Sequence, residues 1–382
     1  MKKGIIIGAG IGGLTTAIAL AKKGIQVKIY ERASEIKEVG AGVWIAPNGM
    51  KIFDKLGIAQ EIATAGKKLK RISVVDLNYK PISLIDGDEI EAKHQFATIA
   101  IHRATLQKIL ASKVNEEHIC LNKEFKGYEQ NENSVTVFFE DGSSEVADFL
   151  ICADGLKSKA RNQLLGPQNL RDSGQTCWRF ATAFDLPSNE EDNMYEVWAN
   201  SKGLRVGYSK IDEKRVYVYI TNAKTRANSE KANNAKKHLL EMCKPFSKTV
   251  NDLIESVEEN EIIQTDLFDF KPIQKWTDGR VSLIGDAAHA TTPNLGQGAC
   301  QAIEDAWVLA EELSTNNNIE TSLLTFQKRR IEKAVFITNT SWLFSQMTNT
   351  SGWMKTIVKM VLRATPASVN KKQLDRIYSV DL

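Results

Sequence analysis

The chain has 382 residues, 42% of them hydrophobic and 25% charged, enough for two domains with substantial cores. Its net charge of +3 comes without any long Lys/Arg block, which argues against a nucleic-acid surface. Cys120, Cys152, Cys177, Cys243 and Cys300 lie far apart and form no C-x-x-C pair. Neither a disulfide framework nor a metal site is indicated, and a reducing cytoplasm is the expected setting. No segment reaches the roughly 18 uncharged apolar residues of a spanning helix, so no stable membrane insertion is expected. The apolar run after Met1-Lys2-Lys3 is broken by glycines too early for a secretory signal.

In chain order, Gly4-Ile5-Ile6-Ile7 predicts a buried strand, Gly8 to Gly13 a turn, Leu14 to Lys23 a helix and Val27 to Tyr30 a second strand. That alternation argues for a parallel sheet with crossover helices. The turn reads G-x-G-x-x-G. Gly8 permits the tight bend, Gly10 lets the backbone approach a pyrophosphate, Ile11 and Gly12 open the helix, and Gly13 allows close packing on the strand. Glu31, at the end of the second strand, is placed to accept from a ribose diol. This motif alone fits FAD and NAD equally.

Farther along, Arg71 to Leu77 and Val135 to Glu140 alternate apolar with polar residues, as half-buried antiparallel strands do. Asp141-Gly142 reads as a hairpin turn. Thr176 to Phe184, Tyr195 to Trp198, Leu204 to Tyr208 and Arg215 to Thr221 form a second β-rich block, followed by a polar stretch from Thr221 to Lys237. Val281 to Ile284 is again a buried strand, and a helix runs from about Gly298 to Leu313. From Leu323 the reading is mostly helical, with Pro366 as a breaker. Trp353 to Arg363 is apolar with Lys355 and Lys359; it reads as a helix packed on the domain, a membrane-surface helix being the alternative. The expected fold is α/β: a discontinuous Rossmann-like domain (1–72, 99–172, 265–315), an inserted antiparallel sheet domain (73–98, 173–264) and a C-terminal helical segment (316–382).

Two further motifs discriminate between the cofactors. Asp148 to Cys152 is a buried strand running into Asp154-Gly155-Leu156-Lys157-Ser158-Lys159-Ala160-Arg161, a D-G-x-x-S-x-x-R pattern. Arg280 to Ile284 ends in Gly285-Asp286-Ala287-Ala288-His289, followed by Pro293-Asn294-Leu295-Gly296-Gln297-Gly298. With these three motifs in this order, the sequence resembles the group A flavoprotein monooxygenases, the family of p-hydroxybenzoate, salicylate and urate hydroxylases, up to about Leu313. The resemblance implies bound FAD and transient NADH or NADPH. It makes Asp286 the ligand of a ribityl hydroxyl and associates Asp154 with the pyrophosphate and NAD(P)H region. It sets Gly296, Gln297, Gly298 and Ala299, with Pro293, against the flavin pyrimidine edge. It sends Arg103 toward the phosphates and gives the adenosine ribose to Glu31 and Arg32. It lines the flavin side with Gly40, Ala41, Gly42 and Val43, and lays the backbone of Phe125 on adenine. His289 lies in the common G-D-A-A-H pattern and is read as structural. Asp154 and Asp286 also have a plainer reading, as helix caps at strand ends.

The chemistry implied is hydride transfer to the flavin, formation of a flavin 4a-hydroperoxide with O2, and oxygen transfer to a small aromatic or heteroaromatic substrate. On the substrate side, Arg205 and Tyr217 match an arginine and a tyrosine of the urate hydroxylase pattern and are the catalytic candidates. The guanidinium suits an anion or a carbonyl, with an ordinary salt-bridge arginine as the alternative. Arg179 ranks second. The alternatives in function are a non-hydroxylating oxidoreductase on the same fold, an NAD-dependent dehydrogenase and a non-enzymatic flavin-binding regulator. The W-x-W-x-I-P pattern of flavin halogenases is absent. Monomer and homodimer both stay open.

Overall fold

A computed structural model describes residues 2–36, 41–225 and 234–380. Lys3–Ile7 forms the middle of a six-stranded sheet whose order is Thr277–Asp278, Val281–Leu283, Phe149–Cys152, Lys3–Ile7, Gln26–Tyr30 and Ile119–Cys120. All pairs are parallel except the Thr277–Asp278 edge. Ile5, Ile6, Ile7, Leu150, Ile151 and Leu283 are buried, as expected of strands covered on both faces. This order sets the C-terminal ends of the three motif strands side by side. Asp286, Asp154, Gly8 and Glu31 therefore follow one another along a single sheet edge, where open α/β sheets bind ligands.

The second large sheet has the order Ile263–Phe270, Leu170–Ala183, Arg215–Ala223, Arg205–Lys210, Asn193–Trp198, Arg71–Asp76 and Pro81–Asp86. Its pairings are antiparallel except that of Asn193–Trp198 with Arg71–Asp76. Strand alternation gives it two unlike faces. Trp178, Phe180, Val206, Tyr208, Val218 and Ile220 pack with Leu239, Val250, Leu253 and Ile254 of helices Ala235–Cys243 and Lys248–Ser256. The opposite face carries Tyr217, Tyr219, Ser209, Arg205 and Glu196 and is turned toward Gly42–Ile45.

The expected divisions at 72/73, 172/173 and 264/265 fall inside strands of this sheet, because alternation locates a strand without saying what it pairs with. The strand expected from Thr176 begins at Leu170. Its register shifts between Asp172 and Thr176, where Gly174 has φ 71°, and the irregularity hides the first segment from a reading by period. Asp141-Gly142 does turn between Val135–Phe139 and Ser144–Ala147, with Gly142 at φ 84°.

The C-terminal part forms helices Ile319–Thr348, Gly352–Ala364 and Ala367–Tyr378. Gly352–Ala364 packs on the domain through its cationic side rather than its apolar one. Lys355 Nζ donates to the Ser201 carbonyl at 2.7 Å, Lys359 Nζ to Asn200 Oδ1 at 2.9 Å and Arg363 Nη2 to Asp76 Oδ2 at 2.7 Å. Trp353, Met354, Ile357, Met360 and Val361 face outward. Among the described residues, no helix is long and apolar enough to cross a membrane.

Burial, with Lys359 and Arg205 nearby, pulls the Lys355 ammonium down to about 7. The unfolded chain, titrating near 10.4, binds the extra proton between those values, so this lysine costs stability below pH 7 and the cost fades as pH rises toward 10. Lys355→Met should therefore raise the thermal midpoint at pH 6.5 by several degrees. The gap to the parent protein should narrow by pH 9 in a pair of melting series.

Candidate functional site

At the sheet edge, an added Cβ on Gly8 would lie 2.5 Å from the Ala153 carbonyl, and one on Gly13 would lie 1.9 Å from that of Gly8. Gly8 has φ 103°. Both positions therefore require glycine. Gly10 is different: nothing lies within 4 Å of a Cβ there, so the space in front of it is open. Helix Ile11–Lys22 begins just behind, with no side-chain cap and no acidic residue in its first turn. Its first N–H groups and the positive end of its dipole are left for an anionic ligand. Gly12 packs against Ala302, so this helix and Gly298–Thr315 approach closely.

Glu31 lies at the rim of the same turn, its carboxylate accepting from the Ala9 N–H at 2.8 Å and the Ala33 N–H at 3.0 Å. Arg32 is exposed beside it. The backbone of Asn122 and Lys123 donates to the carbonyls of Ala33 and Glu31, which brings the start of Phe125–Gln130, and with it Phe125, to this rim. Arg103 heads helix Arg103–Ala111 and is exposed; one turn on, Gln107 Nε2 donates to the Ala9 carbonyl at 2.7 Å. The helix thus lies against the glycine turn.

Asp154 Oδ2 accepts from the Ala160 N–H at 3.2 Å, so part of the capping reading holds. Its Oδ1 is buried with no partner among the described residues, an atom left for a ligand hydrogen. Gly155 beside it has φ 78° and open space. Asp286 is exposed at the end of Val281–Leu283. Arg161, which the sequence reading quoted without a role, ties the two motifs together. It donates to the Ala287 carbonyl at 3.1 Å and the Leu156 carbonyl at 2.6 Å while its guanidinium lies 4.2 Å from the Phe270 ring centroid. The final R of D-G-x-x-S-x-x-R was the signal for it.

The loop from Pro293 to Ala299 leads into helix Gly298–Thr315, which also starts without a side-chain cap or an early acid. Gly296 has φ 62°. The Gln297 side chain turns inward, accepting from Asn48 Nδ2 at 2.9 Å, so the loop presents backbone rather than side chain to the outside. His289 is structural: its Nε2 lies 2.6 Å from Asp305 Oδ2, and Arg330 Nε donates to Asp305 Oδ1 at 2.8 Å. Burial opposes ionisation of Asp305, but His289 and Arg330 outweigh it and hold the carboxyl well below the usual range.

Between this loop and the antiparallel sheet, an aromatic wall borders the candidate substrate chamber. Trp44 meets Tyr217 and Tyr219 edge-on, at centroid distances of 6.3 and 6.0 Å, and its Nε1 donates to Ser209 Oγ at 3.2 Å. Gly42 lies against the Tyr217 ring, Gly207 against the Tyr219 ring and Gly296 faces Trp44. Val43 continues this wall; Gly40 lies outside the described residues. Arg205 is buried at one corner. It donates to Thr221 Oγ1 at 2.9 Å, to Glu196 Oε1 at 3.2 Å and to Asn294 Oδ1 on the loop. The salt-bridge reading of Arg205 is thus present, yet inside the chamber rather than on the surface. Arg179 lies on the other side of Tyr217, donating to Thr265 Oγ1 at 3.1 Å. Trp44, Glu196 and Asn294 were not singled out from sequence. An acid facing inward on the strand Tyr195-Glu196-Val197-Trp198 was the available sign for Glu196.

The geometry fits an elongated dinucleotide. Uncapped helix starts and the open face at Gly10 suit the phosphates, Glu31 and Asp286 offer acceptors for hydroxyls at the two ends, and the chamber suits a ring system. The profile of the FAD binding domain family matches residues 2–337. The chain is 35% identical over 338 residues to the aurachin C monooxygenase/isomerase of Stigmatella aurantiaca, covering 87% of each. It is 31% identical over 339 residues to the FAD-dependent urate hydroxylase of Klebsiella pneumoniae, covering 87% of this chain and 86% of that one. The crystal structure of Klebsiella pneumoniae HpxO complexed with FAD and uric acid superposes with a TM-score of 0.91 at 26% identity, covering 98% of this chain and 96% of that one.

The two glycine environments give a paired test. Gly10→Ala should leave the melting temperature of the cofactor-free protein unchanged while weakening FAD binding by roughly tenfold. Gly13→Ala, whose methyl group meets backbone, should instead destabilise the fold itself. Thermal melts and FAD titrations of both variants separate a ligand-facing glycine from a packing one.

Proposed function

Because the chain belongs to the FAD binding domain family and, within it, to the group A FAD-dependent monooxygenases, we propose that it hydroxylates a small aromatic or heteroaromatic molecule, with O2 as oxygen source and NADH or NADPH as reductant. The observation that supports this substrate class is the aromatic wall of Trp44, Tyr217 and Tyr219 beside the loop at Gly296.

Bound FAD would supply the hydride acceptor and the centre at which oxygen is activated. In this reading the backbone of Gly8, Gly10, Ile11, Gly12 and Gly13, with Arg103, holds the phosphates. Glu31, Arg32 and the backbone of Phe125 hold the adenosine, Asp286 the ribityl chain, and Asp154 lies by the pyrophosphate. Gly42, Val43, Pro293 and Gly296 to Ala299 line the isoalloxazine. The N–H groups at the head of Gly298–Thr315 would offer stabilisation to negative charge on the flavin pyrimidine ring, as an oxyanion hole does. Trp44 and Tyr219 exclude water from the reacting face. Arg205 and Tyr217 orient the substrate ring. Burial pushes the Tyr217 phenol well above its ordinary value, so it stays a neutral donor across the physiological range.

Two measurements test this. The purified protein should show a flavin spectrum, alone or after reconstitution, and its oxidation of NADH or NADPH in air should accelerate with one member of an aromatic and purine panel, with labelled oxygen entering the product. An FAD-loaded protein whose oxidation rate no such compound changes would instead be a non-hydroxylating oxidoreductase. With the active compound in hand, Trp44→Ala should raise the share of NAD(P)H oxidation that ends in hydrogen peroxide several-fold, because water then reaches the site; peroxide assay against product yield measures it.

A further inference from the structure

Arg205 would be the natural receptor for an anionic substrate in this chamber, but the chain has already given it a counter-ion. Glu196 and Arg205 are both buried, on neighbouring strands, and face the same side of the sheet. Glu196 Oε1 accepts from Arg205 Nη1 at 3.2 Å and from Trp198 Nε1 at 2.6 Å. Its Oε2 accepts from the Tyr219 hydroxyl and from Arg205 Nη1 at 3.4 Å. Burial, and after it the Glu196 charge, keeps the Tyr219 phenol protonated as that donor. The guanidinium is further fixed by Thr221 and Asn294; Nη1 serves both Glu196 oxygens, and Nη2 keeps one hydrogen beyond its bond to Asn294.

We propose that Glu196 is a specificity determinant, and that the Arg205 corner takes the carbonyl of an uncharged ring compound rather than a carboxylate. This rests on the chamber being the substrate site. A carboxylate placed on Arg205 would add a second negative charge beside Glu196 in a buried setting, where unbalanced charge is costly. A neutral carbonyl needs only the remaining N–H donor and leaves the corner balanced. The other cations nearby do not change this. Lys355 interacts with both Glu196 and Arg205, but burial pulls its ammonium down to about 7 and its Nζ is bound to the Ser201 carbonyl, while Arg103 and Arg179 lie by Tyr217.

The test is binding to the FAD-loaded protein without NAD(P)H, read by perturbation of the flavin spectrum and by thermal shift. The probes are the matched pairs salicylamide and salicylate, and nicotinamide and nicotinate. The parent protein should bind each amide at least roughly tenfold more tightly than its acid. Glu196→Gln, which keeps the shape and frees the guanidinium, should tighten the acids by about tenfold or more and move the amides much less. Glu196→Asp, which keeps the charge, should retain the amide preference. Preference of the parent for the acids, acids that bind neither protein, or an unchanged amide-to-acid ratio in a Glu196→Gln protein with an unaltered flavin spectrum would each overturn the proposal. Because no turnover is measured, selective amide binding without NAD(P)H oxidation would keep this inference and remove the hydroxylase reading instead.

Discussion

The face of the antiparallel sheet that carries Arg205 can serve the cofactor domain only because two positions lack a side chain. A Cβ on Gly42 would lie 2.5 Å from the Tyr217 ring, and one on Gly207 would lie 2.1 Å from the Tyr219 ring. With hydrogen at both places, the two tyrosines lie flat between the domains and Trp44 closes on them edge-on. The aromatic lining follows from that close approach. A larger residue at Gly42 would push the sheet outward and draw Arg205 away from Asn294 on the loop, whereas one at Gly207 would displace the Tyr219 ring from its own sheet.

Behind the loop, rigidity comes from charge rather than from apolar packing. Asp305, Glu304 and Arg330 are buried together, with His289 and Lys333 at their edges. Glu304 also accepts from Asn48, which donates to Gln297. Removing one member would strand a buried charge, a loss far larger than an exposed ion pair represents. Through this chain of contacts the long helix Ile319–Thr348, which carries Arg330, fixes the loop that holds Gln297.

What the sequence revealed and what it hid divide along a physical line. The strand–glycine turns at Gly8, Asp154 and Asp286 are local patterns, and a parallel sheet brings the ends of such strands to one edge by topology alone. The FAD-binding assignment therefore needed no structure. The chamber is made of long-range pairs. Arg205 meets Asn294 from 89 residues away, and nothing in either neighbourhood announces the other. Trp44 is a single aromatic between Val43 and Ile45, and its partners are set by the register between Arg205–Lys210 and Arg215–Ala223. Polarity misled in one place. The apolar stripe of Gly352–Ala364 suggested which side would pack, but the lysines found backbone carbonyls at the exposed ends of strands and turned inward.

The order of the six-stranded sheet also has a consequence for how the chain is made. Its strands come from residues 3–7, 26–30, 149–152 and 281–283, whereas Leu170–Ala183, Arg215–Ala223 and Arg205–Lys210 pair within one continuous stretch. A ribosome adds about 5–20 residues per second, so Lys3–Ile7 waits on the order of tens of seconds for the last of these strands. This apolar segment is therefore among the last to be enclosed. The antiparallel sheet can assemble its central hairpins meanwhile, since their loop closures are short. Asp286 and the head of Gly298–Thr315 follow every strand of the antiparallel sheet, so the edge that carries Gly8, Glu31 and Asp154 is completed late. A cofactor seated along that whole edge would seal the fold rather than start it.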